Sequence, residues 1–95
     1  MPIVFTATGR LRDWRAFETR NRETWLEAMR AAGAARYRVY RDVHDASRVL
    51  VLAELPDHDA LCALREALAG DLAALAGGDG PGERVWEPTP LEGIG

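Results

Sequence analysis

The chain has one cysteine, Cys62, no lysine and no long hydrophobic run. A single cysteine excludes an internal disulfide and any zinc site built from several cysteines. No apolar run approaches the roughly 18 residues of a membrane-spanning helix, and the first residues lack the charged-then-apolar pattern of a signal peptide. These absences predict a cytoplasmic protein that does not enter a membrane.

Positive charge is also scarce. The 12 basic residues are outnumbered by 15 acidic ones, which leaves a net charge of -3, and the arginines are scattered along the chain. Nucleic acid is therefore not expected as a partner, because a phosphate backbone needs a basic surface. The length of 95 residues predicts one domain, residues 1–95. A core this small is marginal, which favours pairing with a second copy.

Hydrophobic periodicity and helix-capping residues predict six elements in the order β-α-β-β-α-β. Gly70 is expected to break or kink the second helix, and GGDGPG, residues 77–82, is expected to be a flexible loop. The predicted elements are a strand at 2–8 ended by Gly9, a helix from the cap Asp13 to Gly33 with Trp14, Phe17, Asn21, Trp25, Ala28 and Ala32 on one face, a strand within 34–43, a strand at 48–55, a helix capped by Asp57 with Leu61, Leu64, Leu68, Leu72 and Leu75 on one face, and a short strand at 83–88.

This order is typical of the ferredoxin-like α+β fold, in which both helices cover one face of a four-stranded antiparallel sheet. The other face is then bare. The strand at residues 48–55 is almost continuously apolar, as in strands that are covered on both sides. We therefore expect two sheets to pack face to face in a homodimer, a dimeric α+β barrel.

The run GAARYRVYRDVHDASRVLVLAEL, residues 33–55, follows a tryptophan-containing helix and precedes a second helix, a Gly/Pro loop and VWEP. This arrangement resembles the small dimeric α+β barrel proteins of the antibiotic biosynthesis monooxygenase type, which include short actinobacterial proteins labelled cyclases. The resemblance covers about residues 3–88, and the residues that carry it mostly encode the hairpin formed by the second and third predicted strands. It implies a cofactor-independent monooxygenase or cyclase of polyketide-like secondary metabolism that acts on a planar aromatic intermediate. The alternative is a non-catalytic ligand-binding or structural homodimer.

RNRETW, residues 20–25, places an amide in the apolar face of the first helix. At about 100° per residue, Asn21 lies between Trp14, Phe17 and Trp25. A buried amide without partners costs about 1 to 3 kcal/mol, which leaves two interpretations. Either Asn21 has a structural partner, or it orients a flat ligand against an aromatic wall between helix and sheet.

Tyr37 is expected on the helix side of its strand, because it shares a face with Val39, and Tyr40 on the other side. Some cofactor-free monooxygenases of the resembling type use an asparagine and a tryptophan, placed on a strand, to bind an aromatic polyketide and stabilise its anion. We therefore take Asn21, Trp25 and Tyr37 as candidate catalytic residues. The competing interpretation makes Tyr37 a core residue and the strand arginines solvated edge residues. The candidate substrate-binding residues are Trp14, Phe17, Arg38 and Trp86.

No metal or cofactor is expected. His44 is predicted in the hairpin turn and His58 in the first turn of the second helix, without a metal-ligand spacing such as His-x-x-x-His. Haem-degrading proteins of the wider resembling type place a histidine within the second helix, where this chain has residues 64–69 without one. The sequence also lacks a phosphate loop and a dinucleotide fingerprint. The expected ligand is a small hydrophobic aromatic metabolite.

Overall fold

Strands and helices follow one another in the predicted order. The computed structural model describes residues 2–75 and 82–94, with the backbone alone for residues 72–75. The first helix is divided in three, because a π-helical turn separates two α-helical parts. The elements are β1 (Ile3–Arg10), α1 (Trp14–Arg20), the π-helical turn (Asn21–Trp25), α2 (Leu26–Ala31), β2 (Arg36–Arg41), β3 (Arg48–Leu55), α3 (His58–Leu75) and β4 (Arg84–Trp86).

The helix ends are capped as the sequence predicts. The Asp13 carboxylate accepts hydrogen bonds from the backbone N–H groups of Arg15, at 3.0 Å, and Ala16, at 3.2 Å. Gly33 follows α2 with a φ of 78°, a conformation that glycine adopts without strain. Asp57 accepts a hydrogen bond from the Ala60 N–H at 2.8 Å and so begins α3.

The strands form an antiparallel sheet in the order β2-β3-β1-β4. This order, with both crossovers made by helices, confirms the ferredoxin-like α+β prediction. The register places Val51 of β3 opposite Ala7 on one side and Val39 on the other, so these three side chains share a face.

The core lies between the sheet and the helices. Val51 and Ala53 of β3 are completely buried, and Trp25 is 1% exposed. Period-two alternation on the strands and the apolar stripes on the helices direct these residues to one layer. The buried residues of the described chain are Ile3, Phe5, Ala7, Phe17, Trp25, Met29, Val49, Val51, Ala53, Leu55, Leu61, Leu64 and Leu68.

The other side of the sheet, called here the open face, has no helix over it within the described residues. It is partly apolar, and Tyr40 and Trp86 remain 49% and 52% exposed. Strand register assigns it Val4, Thr6, Thr8, Arg10, Arg36, Arg38, Tyr40, Arg48, Leu50, Leu52, Glu54, Arg84 and Trp86.

Two local predictions were wrong. Strand β1 does not end at Gly9 but continues to Arg10, because Gly9 and Arg10 still pair with Val49 and Arg48 of β3. Helix α3 runs through Gly70, whose position is exposed, so the missing side chain leaves no gap in the core. A glycine there costs only about 1 kcal/mol of helix propensity, which tertiary packing outweighs.

Residues 77–81 of the predicted loop and the side chains of Leu72 and Leu75 lie outside the described residues. Of the helices in residues 2–75, none combines the length and the hydropathy needed to cross a membrane.

Candidate functional site

The first helix contains a π-helical turn at the segment RNRETW. The Leu26 N–H bonds to the Asn21 carbonyl, five residues back, instead of the carbonyl four residues back. The extra residue in this turn rotates the following residues by as much as about 100° relative to an unbroken α-helix. Met29 is consequently 2% exposed, although the regular period places it at the edge of the apolar stripe. The prediction of one continuous α-helix was therefore wrong.

The Asn21 amide has a partner on the neighbouring strand. The Tyr37 hydroxyl donates a hydrogen bond to Asn21 Oδ1, and both side chains are half-buried. Burial raises the pKa of the Tyr37 phenol above its ordinary value, so the hydroxyl stays protonated and remains a donor. Tyr37 lies on the helix side of the sheet, as predicted. This bond gives Asn21 the structural partner that one of the two sequence interpretations required.

Three aromatic rings form a continuous row along the first helix. The ring centroids of Trp14 and Phe17 are 5.8 Å apart, and those of Phe17 and Trp25 are 5.7 Å apart in an edge-to-face arrangement. Trp14 is the outermost ring: the Arg41 guanidinium lies 3.7 Å from its centroid, and its indole N–H donates to Glu18. The aromatic wall predicted from the sequence is thus present, but only its inner two rings are buried.

A charged group from α3 meets the buried end of this row. The Trp25 indole N–H donates to Asp71 Oδ2 at 3.1 Å. Arg20 Nη2 donates to both carboxylate oxygens of Asp71, at 2.7 Å and 2.9 Å. The Asp71 side chain is 20% exposed and that of Arg20 is 53% exposed. The arginine thus neutralises a carboxylate that would otherwise sit unpaired at the edge of the core.

A partly open cavity of about 250 Å³ lies between α1, α3 and the loop that follows β1. Its size is close to the lower end of small-molecule sites, about 300 Å³. Phe17 and Trp25 form its aromatic wall, and Arg20 and Asp71 carry its ion pair. The lining residues of the described chain are Leu11, Arg12, Asp13, Ala16, Phe17, Arg20, Trp25 and Asp71.

The structure brings together five of the seven residues selected from the sequence. Trp14, Phe17, Asn21, Trp25 and Tyr37 lie along the first helix and the strand behind it, and of these Phe17 and Trp25 line the cavity. Arg38 and Trp86 lie on the open face, so they do not share the cavity with Phe17. Arg38 lies on the open face because successive side chains of a strand alternate between faces, and the preceding residue, Tyr37, points to the helix side. The Trp86 indole N–H donates to Thr6 Oγ1 at 2.8 Å.

Arg20 and Asp71 were missed in the sequence. The position of Asp71 could have been recognised from the sequence, because it lies three residues after Leu68 and seven after Leu64, on the buried stripe of α3. A carboxylate on such a stripe needs a partner.

The histidines lie away from the cavity. His44 and His58 are exposed, in the hairpin turn and at the start of α3 as predicted. Among the residues that the structure describes, no group of three or more His, Cys, Asp or Glu side chains is arranged to hold a metal ion.

Comparison with solved structures finds the same fold in several proteins. A candidate antibiotic biosynthesis monooxygenase from Nitrosomonas europaea has a TM-score of 0.76 and 14% identity over 97% of this chain and 94% of its own. A variant of SnoaB, a cofactor-independent oxygenase from Streptomyces nogalater, has a TM-score of 0.70 and 21% identity over 95% of each chain. A candidate antibiotic biosynthesis monooxygenase from Bordetella bronchiseptica has a TM-score of 0.68 and 18% identity over 93% of this chain and 97% of its own.

No protein-family model and no curated protein matches the sequence. The structural similarities cover nearly all of each chain, so the protein has the fold of the antibiotic biosynthesis monooxygenase-like proteins. The resemblance noted in the hairpin sequence is confirmed in this respect.

Proposed function

We propose that the protein is a small cofactor-independent enzyme, a monooxygenase or cyclase, that acts on a planar aromatic metabolite held in the cavity between α1 and α3. The observation that carries this proposal is the cavity of about 250 Å³ walled by Phe17 and Trp25. A small flat aromatic ligand packs favourably against the exposed part of such a wall. The similarity to SnoaB, a cofactor-independent oxygenase, supports the type of chemistry.

The residues have different roles in this proposal. Phe17 and the small exposed part of Trp25 contact the ligand, whereas Asn21 and Tyr37 hold the π-helical turn that sets the direction of the Trp25 ring. Trp14 covers the outer end of the aromatic row. A cofactor-free oxygenation requires the substrate itself to supply electrons to dioxygen, so the protein contributes binding, orientation and exclusion of water.

A non-catalytic ligand-binding protein is the second candidate. One observation favours it: the cavity carboxylate of Asp71 already accepts hydrogen bonds from Arg20 and Trp25. A carboxylate whose oxygens are already held by two donors is fixed in position, which suits recognition of a ligand.

Two measurements separate these candidates. Calorimetric titration with a planar polyphenol reports binding, and an oxygen electrode with the same compound and no added cofactor reports turnover. Binding with oxygen consumption supports the monooxygenase, and chromatography of the products detects ring closure. Binding without any product supports the non-catalytic candidate.

The matched variants for these measurements use two alanines. Ala16→Phe places a ring in the cavity and should abolish binding, because Ala16 lines it at an exposed helical position. Ala67→Phe makes the same change at an exposed position of α3 outside the cavity lining and should bind like the wild type. Equal binding by both variants would contradict the assignment of the cavity.

We also propose that the protein is a cytoplasmic homodimer whose open faces pack against each other. Leu50 and Leu52 lie on the central strand β3, Tyr40 lies opposite Leu50, and the exposed ring of Trp86 lies on the edge strand β4. A partly apolar sheet face of this kind occurs in the inner layer of a two-sheet sandwich. In the dimer, Arg38 and Trp86 are interface residues.

The dimer is tested with a charge at the centre of the open face. Leu52→Glu places a carboxylate directly opposite Arg38, which can pair with it in a monomer, so the variant should fold. Light scattering should give about twice the chain mass of 10.5 kDa for the wild type and for the control Ala67→Glu, and the chain mass for Leu52→Glu. A monomeric wild type at micromolar concentration would disprove the dimer.

A further inference from the structure

The cavity contains a hydrogen-bond acceptor and a donor side by side. Asp71 Oδ2 accepts from both Arg20 and Trp25, whereas Asp71 Oδ1 accepts, among the described residues, from Arg20 alone at 2.7 Å. A carboxylate oxygen accepts about two hydrogen bonds, so within the described residues Oδ1 retains capacity for one more.

Arg20 also retains donors. Its contacts to Asp71 use the single atom Nη2, whereas a guanidinium has five N–H groups in one plane. The side chain is 53% exposed and lines the cavity, so the remaining donors are accessible to a ligand. The ion pair thus presents an acceptor from Asp71 next to donors from Arg20, beside the rings of Phe17 and Trp25.

On the basis of the proposed ligand site, we propose that the Arg20–Asp71 pair selects planar aromatics with two adjacent oxygen substituents, at least one of them a hydroxyl. The hydroxyl donates to Asp71 Oδ1, and the neighbouring oxygen, a carbonyl or a second hydroxyl, accepts from Arg20. The rings lie against Phe17 and the small exposed part of Trp25.

The chemistry of the pair disfavours two other kinds of ligand. An aromatic carboxylate would bind Arg20 but would meet the negative charge of Asp71. An aromatic without a hydroxyl leaves the acceptor at Asp71 unmatched when the ligand displaces water from it. The selection therefore depends on the donor of the ligand as much as on its flat shape.

The test compares two ligands of similar shape. Isothermal titration calorimetry of the wild-type chain is done with 2,3-dihydroxynaphthalene, which has two hydroxyl donors, and with 2,3-dimethoxynaphthalene, which has none. The diol should bind about tenfold to hundredfold more tightly, the ratio expected for a hydrogen bond to a charged group. This comparison needs no mutation, so it does not depend on the folding of a variant.

Two variants locate the effect. Asp71→Asn should weaken binding of the diol by about tenfold, and change binding of the dimethoxy compound by less than about threefold, because only the diol donates to this carboxylate. Glu66→Gln makes the same chemical change at an exposed position of α3 and should bind both ligands like the wild type. Thermal melts of both variants check that the fold is retained.

Three results would overturn the inference. Equal binding of the two ligands to the wild type would remove the selection but leave the cavity as a site for flat aromatics. An equal loss of both ligands in Asp71→Asn would make Asp71 purely structural. Failure of the wild type to bind either ligand would refute the selection and the proposed function together.

Discussion

The hydrogen bond between Tyr37 and Asn21 leads to a prediction that double-mutant analysis can test. Tyr37→Phe removes the hydroxyl donor and leaves the Asn21 amide without its partner, and Asn21→Leu strands the Tyr37 hydroxyl. An unsatisfied buried polar group costs about 1 to 3 kcal/mol. Since both side chains are half-buried and water reaches them in part, we expect each single change to cost about 1 to 2 kcal/mol, in the lower part of this range.

The double variant should behave differently. In Asn21→Leu with Tyr37→Phe, both polar groups are replaced by apolar groups of similar shape, and no unsatisfied atom remains. Such paired replacements are close to neutral, so the double variant should lie within about 1 kcal/mol of the wild type. Leucine at position 21 also completes the apolar stripe between Phe17 and Trp25.

The assay is urea unfolding followed by tryptophan fluorescence, with melting temperature as a second measure. For a domain of this size, 1 kcal/mol corresponds to about 4 to 8 °C. All variants are compared at one protein concentration, because dimer stability depends on it. If the two single losses add within about 0.5 kcal/mol in the double variant, the side chains act independently and the reasoning is refuted.

Three further predictions concern stability and ionisation. Trp25→Ala should cost about 3 to 5 kcal/mol in urea unfolding, because the indole is 1% exposed; a loss below about 1 kcal/mol would contradict its role in the core. Bonds from Ser47 and the charge of Arg10 lower the pKa of the Asp45 carboxyl. A carboxyl whose pKa is lowered in the folded chain stabilises the fold at pH values above its unfolded pKa of about 3.9. This stabilisation is lost as pH falls through the folded pKa. Asp45→Asn should therefore be less stable than the wild type at neutral pH, and urea midpoints of the two should converge below about pH 3. A difference that does not change with pH would contradict this. Tyr40→Phe leaves Tyr37 as the one tyrosine. Burial raises the pKa of the Tyr37 phenol, so its protonated form stabilises the fold below about pH 10, and this contribution is lost as pH rises further. Tyrosinate absorbance should therefore appear only as the chain unfolds. Ionisation of Tyr37 in the folded chain near pH 10 would refute its burial.

The strands and their order were predictable from the sequence because each uses a local, repeated signal. Strand β3 was predicted with its observed bounds, since an apolar run of this length between a turn and Pro56 has few alternatives. The caps Asp13 and Asp57 and the terminator Gly33 fixed the helix ends. Strand alternation also placed Tyr37 and Tyr40 on opposite faces.

The π-helical turn could not be predicted in this way. Trp14, Phe17, Asn21 and Trp25 fit the period of a regular helix, so the pattern contains no mark of the extra residue. The difference appears after the turn, where Met29 is buried, whereas Ala28 and Ala32, which the regular period places on the apolar stripe, are half-buried.

The polar contacts of the site show why single-sequence reasoning stops where it does. Asn21 and Asp71 each lie on an apolar helical stripe, so the sequence identifies both as side chains that require partners. Their partners come from other elements: Tyr37 lies 16 residues from Asn21, and Arg20 lies 51 residues from Asp71. Hydrophobic period specifies which face of an element is buried, but many polar groups could reach a given buried amide or carboxylate once the elements pack. The requirement for a partner is therefore local and visible in the sequence, whereas the choice of partner follows from packing, and the cavity between α1 and α3 follows from packing as well.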